Sequence, residues 1–488
     1  MPNLVWLKRD LRLRDHAPFR AAVEAGQPFV AAYWFEPSVM AAPEHDERHW
    51  RFVRQSLCDI DRQLAAHGGR VWVFRGEVVD GLAALHRAFG LENIFSHQEI
   101  GLKITFERDR AVAAWCRAND VAWHEFDQDA VRRAARDRRG WSERVDAHFG
   151  APPVQTDWAR AIFAELPLGL PTELPTVEDL PPGDFQPGGE AVAWRYLQSF
   201  VRERGRDFRA HISKPALSRR SCSRLSPYIA WGCLSAREAW QWGRRAAEQP
   251  GWEAAMREFC ARIVWRSHFM QKFESLDRME FGPPNPGFAA LRRDGQHFEA
   301  WAAGRTGFPM VDASMRCLRA TGYLNFRMRA MLVTFATFTL WLDWKRVATE
   351  LARLFLDFEP GIHFSQIHMQ SGQNGYNTLR IYNPTEQCLK HDPDGQFLRR
   401  WLPELAAVPV PLLFEPWKLT PLEQGMYGVA VGRDYPAPVV DFEAATRQAK
   451  NAYWEIRQGQ AVQEALPDLL RRLAVPRASK LYQDGTLR

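Results

Sequence analysis

Along the first 130 residues, short apolar runs alternate with longer stretches in which apolar positions return every three or four residues. Residues 4–7, 29–35, 71–74, 94–95 and 121–126 are strand-sized runs, and residues 16–25, 47–66, 79–89 and 104–118 carry helical spacing. Strands alternating with helices of this length predict a parallel sheet with crossover helices. The fourth helix, beginning near Thr105, sets Arg and Asp on one side, as a solvent-facing crossover helix does. Over residues 151–189 the periodicity is lost: APPVQTDW, LPLGLPTELP and DLPPGDFQPGG are rich in Pro and Gly and predict a linker laid over a surface. From about residue 190 the pattern is helical, with amphipathic runs at 190–206, 236–248, 252–274, 309–321, 326–341 and 344–356. The division predicted is an α/β domain over 1–130, an interdomain linker over 131–189 and an all-α domain over 190–488.

Composition narrows the class. A chain of 488 residues is too long for one ordinary core, and 46% hydrophobic with 25% charged residues describes a soluble globular protein. No apolar run reaches the roughly 18 residues of a membrane span, and MPNLVWLKRDLRLRD is charged where a signal peptide needs an apolar stretch. The cysteines at 58, 116, 222, 233, 260, 317 and 388 form no C-x-x-C pair, which excludes a zinc ribbon or Cys-ligated cluster by spacing. Scattered in this way they read as reduced thiols, and the expectation is a cytoplasmic protein without a metal. A net charge of +6 permits a polyanionic partner without demanding one. Twenty Trp and 30 Phe imply either a large packed core or a chromophore pocket with electron-relay aromatics.

The densest chemistry is Ser221-Cys222-Ser223-Arg224-Leu225-Ser226-Pro227-Tyr228, followed by Gly232-Cys233-Leu234-Ser235. Hydroxyl residues before a helix, with the free N–H groups of its first turn, can cap it or bind phosphate, and Arg224 adds charge-assisted hydrogen bonds to a diphosphate. The run stands in order with VWLKRDLRLRD at 5–15, GRTGFPMVDASMR at 304–316, Thr321-Gly322-Tyr323, Tyr382-Asn383-Pro384, Gln387, Lys390, Asp392-Pro393-Asp394-Gly395 and WLPEL at 401–405. Nearly end to end, the sequence resembles the DNA photolyase and cryptochrome family, in a bacterial branch without an iron–sulfur cluster.

That resemblance implies a Rossmann-like antenna domain followed by a helical domain binding FAD, and a second antenna chromophore of unspecified identity. Ser223, Arg224, Leu225 and Ser226 would grip the diphosphate, with Cys222 where the family has Thr. His211, Phe259, Arg266 and Phe326 fall among cofactor-side positions, and Arg329 and Asp357 match an Arg–Asp pair beside the flavin's N5 and O4 edge. Glu359 replaces a second Asp toward N3, and His363 falls at the residue facing N5, usually Asn, where its tautomer sets which redox form is favoured.

Trp265-Arg266 resembles a Trp–Arg pair on the lesion-facing helix, with Trp265 stacked on a flipped-out dimer and Arg266 on a phosphate. Arg262 stands where repair enzymes of the family carry a Glu that bonds the damaged bases, and Glu258 can pair with it at i,i+4. Phe326, Ala330 and Met369 replace a substrate-side Asn, a Met and a second stacking Trp. Trp344 matches the middle of three relay tryptophans; the inner position is Ile367 and the outer region near Leu291 has no Trp, which leaves Trp341, Tyr323, Tyr376 and Tyr382 as alternatives. The implied activity is blue-light repair of pyrimidine dimers, in which excited reduced FAD lends an electron to the dimer, with UV-damaged DNA as partner and the protein a monomer. The rival is a cryptochrome-type photoreceptor without repair, favoured by the altered pocket. The short segment VPRASK at 475–480 leaves little room for a signalling tail and favours the enzyme.

Overall fold

The computed structural model describes residues 2–166, 184–291 and 293–474. The strands lie where the apolar runs place them: β1 Asn3–Leu7, β2 Phe29–Phe35, β3 Val71–Arg75, β4 Asn93–His97 and β5 Ala122–Phe126. They form one parallel sheet in the order β3-β2-β1-β4-β5, with Val5 opposite Ala31 on one side and Phe95 on the other. β1 and β2 are buried along their whole length, so they read as unbroken apolar runs rather than alternating ones. Val5 and Leu7 pack toward the helices Ala17–Glu24 and Glu47–Ala65, while Leu4 and Trp6 pack toward Val78–Phe89 and Lys103–Ala118. The sheet is thus covered on both faces.

In such a sheet the direction of winding reverses between β1 and β4, and ligands favour the crevice at the carboxyl ends of the strands there. Here the protein's own charges occupy it. Arg108 pairs with Glu36 at 3.0 Å, Glu99 at 2.7 Å and Asp109 at 2.9 Å, Lys8 pairs with Asp109 at 3.3 Å, and the space left is about 40 Å³. That is room for a water or two, so the protein's own ion pairs fill this part of the strand ends. Nearby, Asp10 lies 2.8 Å from His97 Nδ1 and 3.1 Å from His16 Nε2. His16 Nδ1 accepts from the Phe19 N–H at 3.2 Å. In the neutral ring the proton is therefore on Nε2, facing Asp10, where no lone pair remains for a metal ion.

The expected linker holds more structure than its Pro and Gly content implies. Trp141–Gly150 is a helix with Trp141, Val145 and Phe149 buried, an i, i+4, i+8 stripe, and Phe163 returns to bridge Phe29. Residues 167–183 of the linker, and the segment at 475–480, lie outside the described residues. The helical runs appear as Glu190–Ser199, Ala236–Ala246, Glu253–Ser275, Pro309–Thr321, Phe326–Thr334, Trp344–Leu354 and Pro360–Gln370. Two of them continue into π-helical turns, Phe200–Arg204 and Phe335–Thr339. The long helix Glu253–Ser275 packs against Pro360–Gln370, where Gly361 lets the backbones approach: a Cβ there would sit 2.8 Å from Met270 Cα. Among the described residues no helix is long and apolar enough to cross a membrane. The seven cysteines are free thiols, six of them buried.

The two parts meet along a tight seam. Leu11 N–H donates to the Trp231 carbonyl at 3.2 Å and Arg12 to the Gly232 carbonyl at 3.0 Å, while Glu190 accepts from the Leu13 and Arg14 N–H groups at 2.7 and 3.3 Å. Gly232 has φ +70°, and a Cβ there would overlap the Arg9 carbonyl oxygen and Asp10 Cα. Left-handed backbone and overlap both penalise a side chain. Gly232→Ala is therefore expected to lower stability by about 3 kcal/mol, read from the urea midpoint. A loss below about 0.5 kcal/mol would mean that the seam yields easily.

Candidate functional site

Two helices build the walls of one cavity. On Glu253–Ser275, Phe259, Arg262, Ile263, Arg266 and Phe269 recur at three- and four-residue steps and share a face, with Trp265 beside it. On Pro360–Gln370, His363, Gln366, Ile367 and Gln370 do the same. The run from Cys222 to Ala230, Tyr323, the start of Phe326–Thr334 and residues 357–359 close it around about 330 Å³ of mostly apolar space. Size and lining are those of a small-molecule or cofactor site.

Every cofactor-side and substrate-side residue singled out in the sequence lines this cavity except His211, Trp344 and Met369. His211 pairs through Nδ1 with Ser221 Oγ at 2.8 Å, outside the cavity. Trp344 is buried against His368, ring centroids 4.4 Å apart, while Ile367 faces the cavity. Of the alternative relay aromatics, Tyr323 lines the cavity, and Trp341, Tyr376 and Tyr382 do not. Gln366, Gln370 and Phe269 were not singled out, although i+3 and i+7 from His363, and i+4 from Trp265, would have found them.

At one end Arg224, with φ +59°, stacks on Tyr323 at 3.7 Å and donates to Gln186 Oε1 at 2.7 Å. Its Nε is buried without a partner among the described residues, as are Asn325 Oδ1 and Gln366 Oε1. Orphaned polar atoms on an apolar cavity are what a bound ligand satisfies. Burial pushes the Cys222 thiol up to about 12, so it is a neutral, weakly polar group in this row.

Along the wall, Arg329 donates to both oxygens of Asp357 at 3.1 and 2.9 Å, and from Nε to the Leu324 carbonyl at 2.7 Å. Held by three bonds, the guanidinium remains tolerable at this depth. A second pair sits deeper. Arg266 donates to Glu359 at 2.8 Å and also to Asp129, and Arg9 lies 3.9 Å from Glu359. Burial raises the Glu359 carboxyl and the two arginines draw it back. Arg266 is thus bonded to two carboxylates, which compete with any phosphate for its guanidinium.

Arg262 lies over the Trp265 ring at 4.3 Å, anchored to Glu258 by two hydrogen bonds of 3.1 and 2.6 Å. Phe326, on the same cavity, is 41% exposed. His363 donates from Nε2 to the Ala348 carbonyl at 2.8 Å, and burial lowers its pKa to about 4, so the ring is neutral near pH 7.

Residues 3–165 match the family model of DNA photolyase, and residues 259–455 match that of the FAD binding domain of DNA photolyase. A protein named Cryptochrome DASH from Gloeobacter violaceus is 30% identical over 497 residues, covering 93% of this chain and 96% of that one. A deoxyribodipyrimidine photo-lyase from Alkalihalophilus pseudofirmus is 26% identical, covering 91% of this chain and 96% of the relative. The crystal structure of a Synechocystis cryptochrome shares the fold, with a TM-score of 0.83 at 22% identity over 93% of this chain and 99% of that one.

The donor set fits FAD. The orphaned Arg224 Nε and the Ser223 and Ser226 hydroxyls suit a diphosphate, and the apolar walls with one fixed ion pair suit a flat ring system. Arg224→Ala is expected to weaken FAD retention at least tenfold, about the worth of one charge-assisted hydrogen bond, with the helical circular dichroism unchanged. FAD per chain after gel filtration measures it; retention equal to wild type would remove Arg224 from the diphosphate site.

Proposed function

Because this chain belongs to the DNA photolyase and cryptochrome family, we propose that it uses blue light and bound FAD to repair UV-induced pyrimidine dimers in DNA. Bound in the cavity, FAD supplies the light-driven transfer of one electron. The chain's own residues do the rest. Ser223, Arg224 and Ser226 hold the diphosphate, the Arg329–Asp357 pair fixes a field beside the ring, and the apolar lining keeps water out.

The observation that carries this reading is that Trp265 lines the same cavity as the FAD-side residues. An indole face accepts an unstacked base of any sequence, so a flipped base and the cofactor would share one enclosure, the condition for short-range electron transfer. Arg262 carries donors only and lies over Trp265, so it meets carbonyl oxygens of a base or a nearby phosphate. A cryptochrome-type photoreceptor is the second reading. It is favoured by Arg262 standing where the resemblance places a carboxylate, and by the burial of Arg266 between Asp129 and Glu359.

Illuminating the purified, FAD-loaded protein with a dimer-containing oligonucleotide and assaying restored bases decides between the two. In the same system Trp265→Ala is expected to cut the preference for dimer-containing over intact DNA by about 1–3 kcal/mol, leaving intact-DNA binding nearly unchanged. A wild-type protein with neither damage preference nor light-driven repair would move the assignment to the photoreceptor.

A further inference from the structure

We propose that Gln186, near the end of the interdomain linker, is a positioning residue for FAD: it stands outside the cavity lining, sets the direction of Arg224 and leaves that guanidinium's charge open to the diphosphate. The inference rests on the FAD reading above and goes beyond it, because it makes the linker a working part of the cofactor site.

Arg224 does not hold its place unaided. Its φ of +59° is left-handed, a conformation that persists in a residue with a Cβ only where the surroundings enforce it. Gln186 makes two bonds to it. Arg224 Nη2 donates to Gln186 Oε1 at 2.7 Å, and Gln186 Nε2 donates to the Arg224 carbonyl at 2.8 Å. One amide, donor and acceptor in a single plane, thus grips the side chain and the backbone of the same residue. The two preceding carbonyls, of Cys222 and Ser223, accept from Arg204, so three successive carbonyls of this run are tied to side chains. The Tyr323 ring covers one face of the guanidinium at 3.7 Å, and its buried Nε keeps no partner among the described residues.

Gln186 is itself fixed from both domains. It is buried, and Arg51, on the helix Glu47–Ala65, lies over the Phe185 ring at 4.2 Å. The Gly188 N–H donates to Gln55 Oε1 at 2.8 Å on the same helix, and the Pro187 carbonyl accepts from the Tyr228 hydroxyl at 2.9 Å. The chemistry of the side chain matters as much as its place. A carboxylate at position 186 would bond the guanidinium more strongly and at the same time neutralise it. The amide orients without neutralising, and among the described residues no carboxylate pairs with Arg224, whose titratable neighbours are Tyr323, Arg219, Tyr196 and Cys317. A cation held in one direction without a counter-charge meets an anionic ligand with little further ordering.

The test is FAD retention by the holoenzyme after dilution and gel filtration, for wild type, Gln186→Leu, Gln186→Glu, Arg224→Ala and the double variant Gln186→Leu with Arg224→Ala. Gln186→Leu should weaken retention about fivefold, the contribution of one hydrogen bond, with the helical circular dichroism unchanged. In the Arg224→Ala background the same change should cost only about twofold, because the side chain it directs is gone and the backbone bond alone is lost. Gln186→Glu keeps the acceptor but sets a carboxylate in competition with the diphosphate, and should weaken retention about tenfold. An equal loss from Gln186→Leu in both backgrounds would make Gln186 a residue of the fold that acts independently of Arg224. A Glu variant that keeps FAD as well as wild type would show that the charge need not stay open. Either result overturns the inference, and the Glu variant decides alone if the Leu variant does not fold. A wild-type chain that takes up no FAD, or Arg224→Ala that retains it fully, overturns the diphosphate reading instead, and each is recognised without any Gln186 variant.

Discussion

Arg9 leaves the end of β1 and crosses the seam between the sheet and the helices. Its guanidinium lies over the Trp231 ring at 4.2 Å, donates to the Phe358 carbonyl and stands 3.9 Å from Glu359. Phe358 and Glu359 are the floor of the cavity, so the position of that floor is set by a residue of the other domain. The charges continue alternately through Glu359, Arg266 and Asp129. Such a row is tolerable in the interior only while each member keeps its partners, because removing one strands a buried charge. The chain gains a floor with one geometry and gives up the freedom to change any single member of the row.

How much of this was legible in the sequence depended on whether the cause was local. β1 and β2 could be read because strands buried on both faces are apolar without interruption, and the helical runs because an apolar stripe returns every three or four residues. The Glu258–Arg262 bond could be read from i,i+4 spacing alone. The fates of His211 and Arg266 could not. Each depends on a side chain brought near by folding, and for Arg266 those partners are Asp129 and Glu359, 137 and 93 residues away. The helix Trp141–Gly150 was hidden for a different reason: charged residues dilute its three-residue apolar stripe, and a Pro-rich segment follows at once.

The relay positions show what position-matching leaves out. Ile367 faces the cavity where the family pattern has a Trp, and Trp344 lies behind it against His368. With its amide nitrogen toward His368 Nδ1, the Gln373 oxygen accepts from Trp344 Nε1 at 3.3 Å and from Arg293 at 3.1 Å. That bond orders the indole, while the nearby guanidinium disfavours positive charge on it. Tyr323 has the opposite placement: on the cavity itself, with Arg224 against its face.

Burial has one consequence for durability. It raises the pKa of all seven cysteines, to about 12 for Cys222, Cys233 and Cys260, so at neutral pH they are held as thiols rather than thiolates. A flavin illuminated in air is also a photosensitiser, and it is the thiolate that oxidants attack most readily. Burial thus keeps these sulfhydryl groups in the form that oxidants attack least readily, Cys222 included, although it lines the cavity itself.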